Sequence, residues 1–143
     1  MQRLHILLTG LLALAVSTLL AAQTQSLQIL LTVNGQQLTA TLTDSPTTRD
    51  FIAQLPLTLK LDDYSATEKI AYLPKKLTTQ GAPAGTDPAP GDITYYAPWG
   101  NLAIFYRDFG YSSGLIKLGR IDSGSDALAV RGPVTITIAP AGK

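Results

Sequence analysis

The chain has 143 residues, eleven basic against ten acidic side chains, no cysteine, one histidine and one methionine. His5 and Met1 both lie in the first 22 residues. The rest therefore lacks the side chains behind Ser-His-Asp and Cys-His catalysis, zinc sites, haem ligation and disulfides, and no metal and no cofactor is expected.

The first 22 residues read as a secretory leader. Arg3 gives a positive start, Leu4 to Ala15 is apolar except for His5, Thr9 and Gly10, and Val16 to Leu20 continues the run. Ala21-Ala22 then meets polar Gln23-Thr24-Gln25-Ser26. Cleavage near Ala22 is expected. A retained anchor is the alternative, since roughly 18 apolar residues span a bilayer. With no cysteine to acylate, a lipoprotein is not expected. Removing the leader takes away one charge, Arg3, and leaves ten basic and ten acidic residues. That balance lacks the basic footprint of a nucleic-acid binder and argues against anionic lipid, so no nucleic acid and no membrane after signal cleavage are expected as partners. About 120 residues then form a single domain over 23–143. An exported chain without disulfides fits a bacterial protein, secreted or periplasmic.

Leu27, Ile29, Leu31 and Val33 alternate with Gln28, Leu30 and Thr32; after Asn34-Gly35, Leu38, Ala40 and Leu42 alternate with polar neighbours. Two period-two runs joined by Asn-Gly predict a hairpin, because both turn residues accept positive φ. Ser45 and Pro46 are suited to cap and start a short helix carrying Phe51, Ile52 and Leu55, which Pro56 ends. Leu57, Leu59 and Leu61 predict a third strand, followed by a turn at Asp62-Asp63-Tyr64-Ser65. Glu68 to Leu73 reads as strand or helical turn. Thr78 to Asp92 has no periodicity and reads as a surface excursion of functional length. Ile93–Tyr96, Leu102–Arg107, Leu115–Arg120 and Val134–Ala139 predict further strands, and Ala127–Val130 a short strand or helical turn. About eight short strands and one helix suggest a closed barrel or a sandwich.

Seven of the ten aromatic residues fall between Tyr95 and Tyr111. On an alternating strand Leu102, Ile104 and Tyr106 share one face, and Ala103, Phe105 and Arg107 the other. An arginine beside aromatic rings suits a carboxylate or carbonyl oxygen, with the rings covering an apolar group. Core packing with a solvated Arg107-Asp108 pair is the plainer reading. Trp99 sits in a turn, where an exposed aromatic more often serves binding. Tyr96, Trp99, Tyr106 and Arg107 are the candidate ligand-binding residues, and the catalytic residues are unknown. Glu68, the only glutamate, reads with Lys69 as a surface pair or as a polar contact on the barrel rim, the surface pair being preferred. Asp122-Ser-Gly-Ser-Asp126 has half the pattern of a calcium loop without its closing Glu and reads as a turn.

Leu55-Pro-Leu-Thr-Leu, Asp63-Tyr64, Glu68-Lys69-Ile70-Ala71, Leu73-Pro74 and Leu77 resemble the first half of small bacterial cyclophilin-like proteins. Pro90-Gly91-Asp92-Ile93, Pro98 through Tyr106, and Leu118-Gly119-Arg120-Ile121 resemble the second half. The resemblance covers nearly all of the chain after the leader. It implies a mainly β fold, a closed antiparallel eight-stranded barrel with one short capping helix. Cyclophilins isomerise X–Pro bonds with an arginine in a Phe-His-Arg context, a glutamine, a histidine and an apolar proline pocket. This chain has no Phe-His-Arg and no histidine after the leader. The expected function is a barrel that binds a peptide or small-molecule ligand. The alternative is a prolyl isomerase with a reduced, histidine-free site, using Arg107 or Arg120 to stabilise the twisting amide.

Overall fold

The structure, a computed structural model, describes residues 27–142. The leader expected over residues 1–22 lies outside them. Leu27–Val33 (β1) and Gln36–Leu42 (β2) pair antiparallel, from Leu27 opposite Leu42 to Val33 opposite Gln36. Asn34 and Gly35 turn the chain with φ of 48° and 76°, the hand that matches strand twist. The apolar alternates of both strands are buried in the core.

The helix α1 (Pro46–Ala53) begins as its residues require. Ser45 Oγ accepts from the Thr48 backbone N–H at 3.1 Å, and Pro46 stands where a missing N–H costs nothing. Phe51 is fully buried in the core. Thr47 donates to the Thr78 carbonyl and Asp50 accepts from the Thr78 N–H, so the helix holds the start of the long segment that follows the fourth strand.

The remaining strands are Leu57–Tyr64 (β3), Glu68–Tyr72 (β4), Gly85–Thr86 (β5), Asp92–Tyr96 (β6), Asn101–Phe105 (β7), Ser112–Ser113 (β8), Leu115–Ile121 (β9) and Val134–Pro140 (β10). A 3₁₀ turn at Ser125–Leu128 resolves the ambiguity left at Ala127–Val130. Eight strands close into an antiparallel barrel in the order β1-β10-β3-β4-β7-β6-β9-β2, and β2 pairs back to β1. Closure leaves the barrel no free edge. The expected fold, a mainly β closed eight-stranded antiparallel barrel with one short helix, is the fold observed.

Four local readings are corrected. Asp62 and Asp63 belong to β3, not to a turn; Ser65 and Ala66 reverse the chain with φ of 51° and 52°. Tyr106 and Arg107 do not continue β7. The Thr67 carbonyl accepts from both their N–H groups, at 3.0 and 3.3 Å, and this fork ends the ladder at Phe105. Inside the long excursion and its facing loop, β5 and β8 form a two-residue pair, Gly85 opposite Ser113 and Thr86 opposite Ser112, too short to leave a periodicity. Glu68 and Lys69 are not a surface pair: both are buried, and strand neighbours face opposite ways.

β7 positions the candidate site, because it is buried on both faces. Leu102 and Ile104 pack in the barrel interior. Ala103 and Phe105 point outward into a second cluster with Leu115, Ile70 and Tyr96. The outer wall of β4-β7-β6-β9 is therefore apolar, and side chains from the adjoining loops cover it.

Candidate functional site

Over that outer wall lies a cavity of about 130 Å³. Its floor comes from four strands: Glu68 and Ile70 of β4, Asn101 and Phe105 of β7, Tyr96 of β6 and Leu115 of β9. Register explains the grouping. Glu68 opposes Phe105, and Tyr96 opposes both Asn101 and Leu115, and opposed residues share a face. Asn101 and Phe105 are four residues apart on one strand, so the floor is about 13 Å long.

The walls are aromatic. Trp99, held in the β6–β7 turn by the Trp99 and Gly100 N–H bonds to the Tyr96 carbonyl, is 47% exposed. Its ring stands at 87° to Tyr64, with centroids 5.6 Å apart, and at 78° to Tyr96, with centroids 5.4 Å apart. Tyr64 comes from the end of β3 and Trp99 from the far end of the floor, so the two rings reach toward each other across it. Phe109 adds a further wall, 6.0 Å from Phe105. Edge-to-face contacts of this kind hold rings in place while leaving part of each surface free.

Two polar groups are embedded in this apolar lining. Asn101 is buried; its Nδ2 donates to the Leu102 carbonyl at 3.2 Å, and its Oδ1 has no hydrogen-bond partner. Glu68 is 8% exposed. Its Oε2 accepts from Thr67 Oγ1 at 2.8 Å, and no lysine or arginine among the described residues pairs with it. Burial pushes the Glu68 carboxyl above the ordinary glutamate value, an effect the Thr67 hydrogen bond only partly offsets.

Lys69, one residue on, points into the barrel and is satisfied there. Its Nζ donates to Asp63 Oδ1, the Val130 carbonyl and the Gly132 carbonyl, each at 2.6 Å. Asp63 also accepts from the Gly132 N–H at 2.7 Å and from the Tyr106 hydroxyl at 3.1 Å. The Lys69 and Gly132 hydrogen bonds hold the Asp63 carboxyl below its ordinary value. Burial, and then the bond to Asp63, raise the Tyr106 phenol. A second cleft of about 180 Å³ lies here, lined by Tyr106, Arg107, Ala129 and Arg131 among others.

The four candidate residues therefore divide. Tyr96 and Trp99 meet at the aromatic cavity. Tyr106 and Arg107 line the other cleft, with the Arg107 guanidinium 5.9 Å from the Tyr106 ring. Arg120 is exposed and donates to the Pro90 carbonyl at 2.9 Å. Tyr64, Glu68, Asn101 and Phe109 join the cavity without having been singled out as ligand-binding. The clue available for Glu68 was its place in a strand beside Lys69, where two adjacent charges take opposite faces. Asp122 accepts from Thr39 and Thr41, at 2.8 and 2.7 Å, and ties its turn to β2.

The sequence model described as the cyclophilin-like family matches residues 31–139. The chain belongs to this family. The solution structure of a hypothetical protein from Archaeoglobus fulgidus has a similar fold, with a TM-score of 0.58 and 16% sequence identity, over 84% of this chain and 98% of that one. No curated protein matches the sequence. Membership of the cyclophilin-like family accounts for the barrel, whereas the aromatic walls and the two buried polar groups are read from this chain's own residues.

Proposed function

We propose that this cyclophilin-like barrel is a ligand-binding protein, and that the aromatic cavity on its outer wall receives an apolar group of a peptide or small molecule. The observation that carries this reading is the Asn101 carbonyl oxygen, buried and unpartnered on an aromatic-walled floor. A buried polar atom without a partner costs free energy, and a ligand donor reaching Oδ1 would relieve that cost. The pairing of an apolar enclosure with a few fixed polar groups is the usual composition of a small-ligand site.

The prolyl isomerase alternative relied on an arginine beside the aromatic residues. No arginine among the described residues lines the aromatic cavity, and Arg107 stands at the other cleft, so the binding reading is preferred. Export remains our reading of the leader, with the secreted or periplasmic space as the place of action.

Trp99 is the chain's single tryptophan, so its emission reports on the cavity directly. Titration with peptides carrying proline or aromatic residues, and with small apolar ligands, should give a saturable change. Calorimetry on Trp99→Ala should show the binding lost while the protein still melts cooperatively. A Trp99→Ala variant that binds as the parent does would remove the cavity from consideration.

A further inference from the structure

We propose that the group received by the aromatic cavity is a methylated ammonium, a quaternary cation such as the head of choline, seated against Trp99, Tyr64 and Tyr96 with Glu68 as its counter-charge. This inference rests on the binding reading above and gives the ligand its chemical class.

Two features of the cavity point to a cation. Trp99 stands at 87° to Tyr64 and at 78° to Tyr96, so three rings form adjoining walls rather than a stack. The electron-rich faces of such rings attract a positive charge, most strongly out of water, and aromatic enclosures are a recurrent way of holding quaternary ammonium. Glu68 is the second feature. It is a buried carboxyl with one hydrogen bond and no basic partner among the described residues, and burial disfavours its charged form. A cation in the cavity supplies what it lacks.

The same molecule shows why the cation carries methyl groups rather than N–H bonds. The Lys69 ammonium, fully buried, is surrounded by three oxygens at 2.6 Å, one for each of its donors. The aromatic cavity has the Glu68 carboxyl and the Asn101 Oδ1 as buried acceptors and the half-buried Ser112 hydroxyl beside them; the rest of its lining is rings, Ile70 and Leu115. A primary ammonium would give up its own water on entering and would have to remake its three hydrogen bonds with these few acceptors. A quaternary ammonium has no donors to satisfy and presents methyl groups to the rings. Asn101 Oδ1 is then left for a hydroxyl or N–H elsewhere on the ligand.

The test titrates the whole folded protein with choline, with tetramethylammonium and with 3,3-dimethylbutan-1-ol, which replaces the choline nitrogen by carbon and is neutral. Trp99 emission and calorimetry are read together. Choline should bind at least roughly tenfold more tightly than the neutral alcohol. Glu68→Gln should narrow the gap between the two, leaving the part owed to the rings, and Tyr64→Ala should weaken choline about tenfold or more. A peptide carrying trimethyllysine, run as a separate arm, distinguishes a modified side chain from a free solute as the source of the group. Equal affinity for choline and the alcohol overturns the proposal and leaves the binding reading in place. Failure of every cation, with peptides or apolar ligands still taken up, also overturns the cation and spares the cavity. Failure of all probes in cooperatively folded protein overturns both.

Discussion

Lys69 and Glu68 are sequence neighbours with opposite fates. Lys69 is enclosed by oxygens from Asp63, Val130 and Gly132, so removing it strands a carboxylate and two carbonyls. Lys69→Met should cost about 3–5 kcal/mol, read as a lower urea midpoint. Glu68 is the reverse case. Its raised folded pKa contributes stability that is present below the unfolded value of about 4.5 and lost as pH rises through the folded value. Glu68→Gln should therefore melt higher than the parent at neutral pH, with the difference closing as pH falls below about 4. Asp63 runs the other way: its depressed folded pKa gives stability above the unfolded value that disappears as pH falls through the folded one. Melting curves across the acid range separate the two, because Asp63→Asn should lose its penalty in acid while Glu68→Gln loses its gain. None of this was legible locally. Adjacent Glu-Lys reads as a surface pair, and two of the three partners that enclose Lys69, the Val130 and Gly132 carbonyls, lie more than 60 residues away. Trp99 was legible because an aromatic between Pro98 and Gly100 has no helix or strand to pack into.

Strands of normal length were readable, β6 and β9 included, whereas the two-residue pair β5 and β8 was not. β1, β2 and β10 carry apolar residues at every second place and were found with ends close to those observed. β7 was extended by two residues because Tyr106 and Arg107 continue the alternation; the fork at the Thr67 carbonyl that ends it comes from the turn between β3 and β4. β9 contains a subtler device. Its register with β6 slips between Ile93 and Thr94, and Gly119 at this slip lies opposite Leu42 of β2. A Cβ at Gly119 would run into the Thr41 carbonyl and stand 2.6 Å from Leu42 Cα. Backbone cannot yield as a side-chain tip does, so Gly119→Ala should destabilise by about 1–3 kcal/mol or more. Gly132→Ala is a control for the cost of an unfavourable φ alone, since its Cβ would meet nothing within 4 Å. Gly119 has no positive φ, so its loss is expected from the close approach alone; parallel urea titrations should show a clear loss for Gly119→Ala, and stability within about 0.5 kcal/mol of the parent would mean that the strands make room for the added Cβ.

At the scale of the molecule, closure depends on the last strand. β10 pairs with β1 on one side and β3 on the other, so the barrel cannot close until the chain is nearly complete. A version ending at Arg131 should show no cooperative melt and no dispersed amide spectrum. Barrel or sandwich was as far as periodicity alone led, because strand count does not say which strands meet; the family resemblance supplied the closure, and the strand order is seen only in the structure. The cavity has a further consequence through its position on the outside of the wall. Interior side chains and cavity side chains are nearly separate sets, divided by the sheet itself. The interior can then be repacked without touching recognition, and the cavity recut without opening the barrel. β4, β6, β7 and β9 are where the two sets meet, and β7 is the fullest case, because alternate residues of one five-residue strand serve both sides. An insertion or slip there would exchange the two roles at once, turning Leu102 and Ile104 toward the ligand and Asn101, Ala103 and Phe105 into the interior.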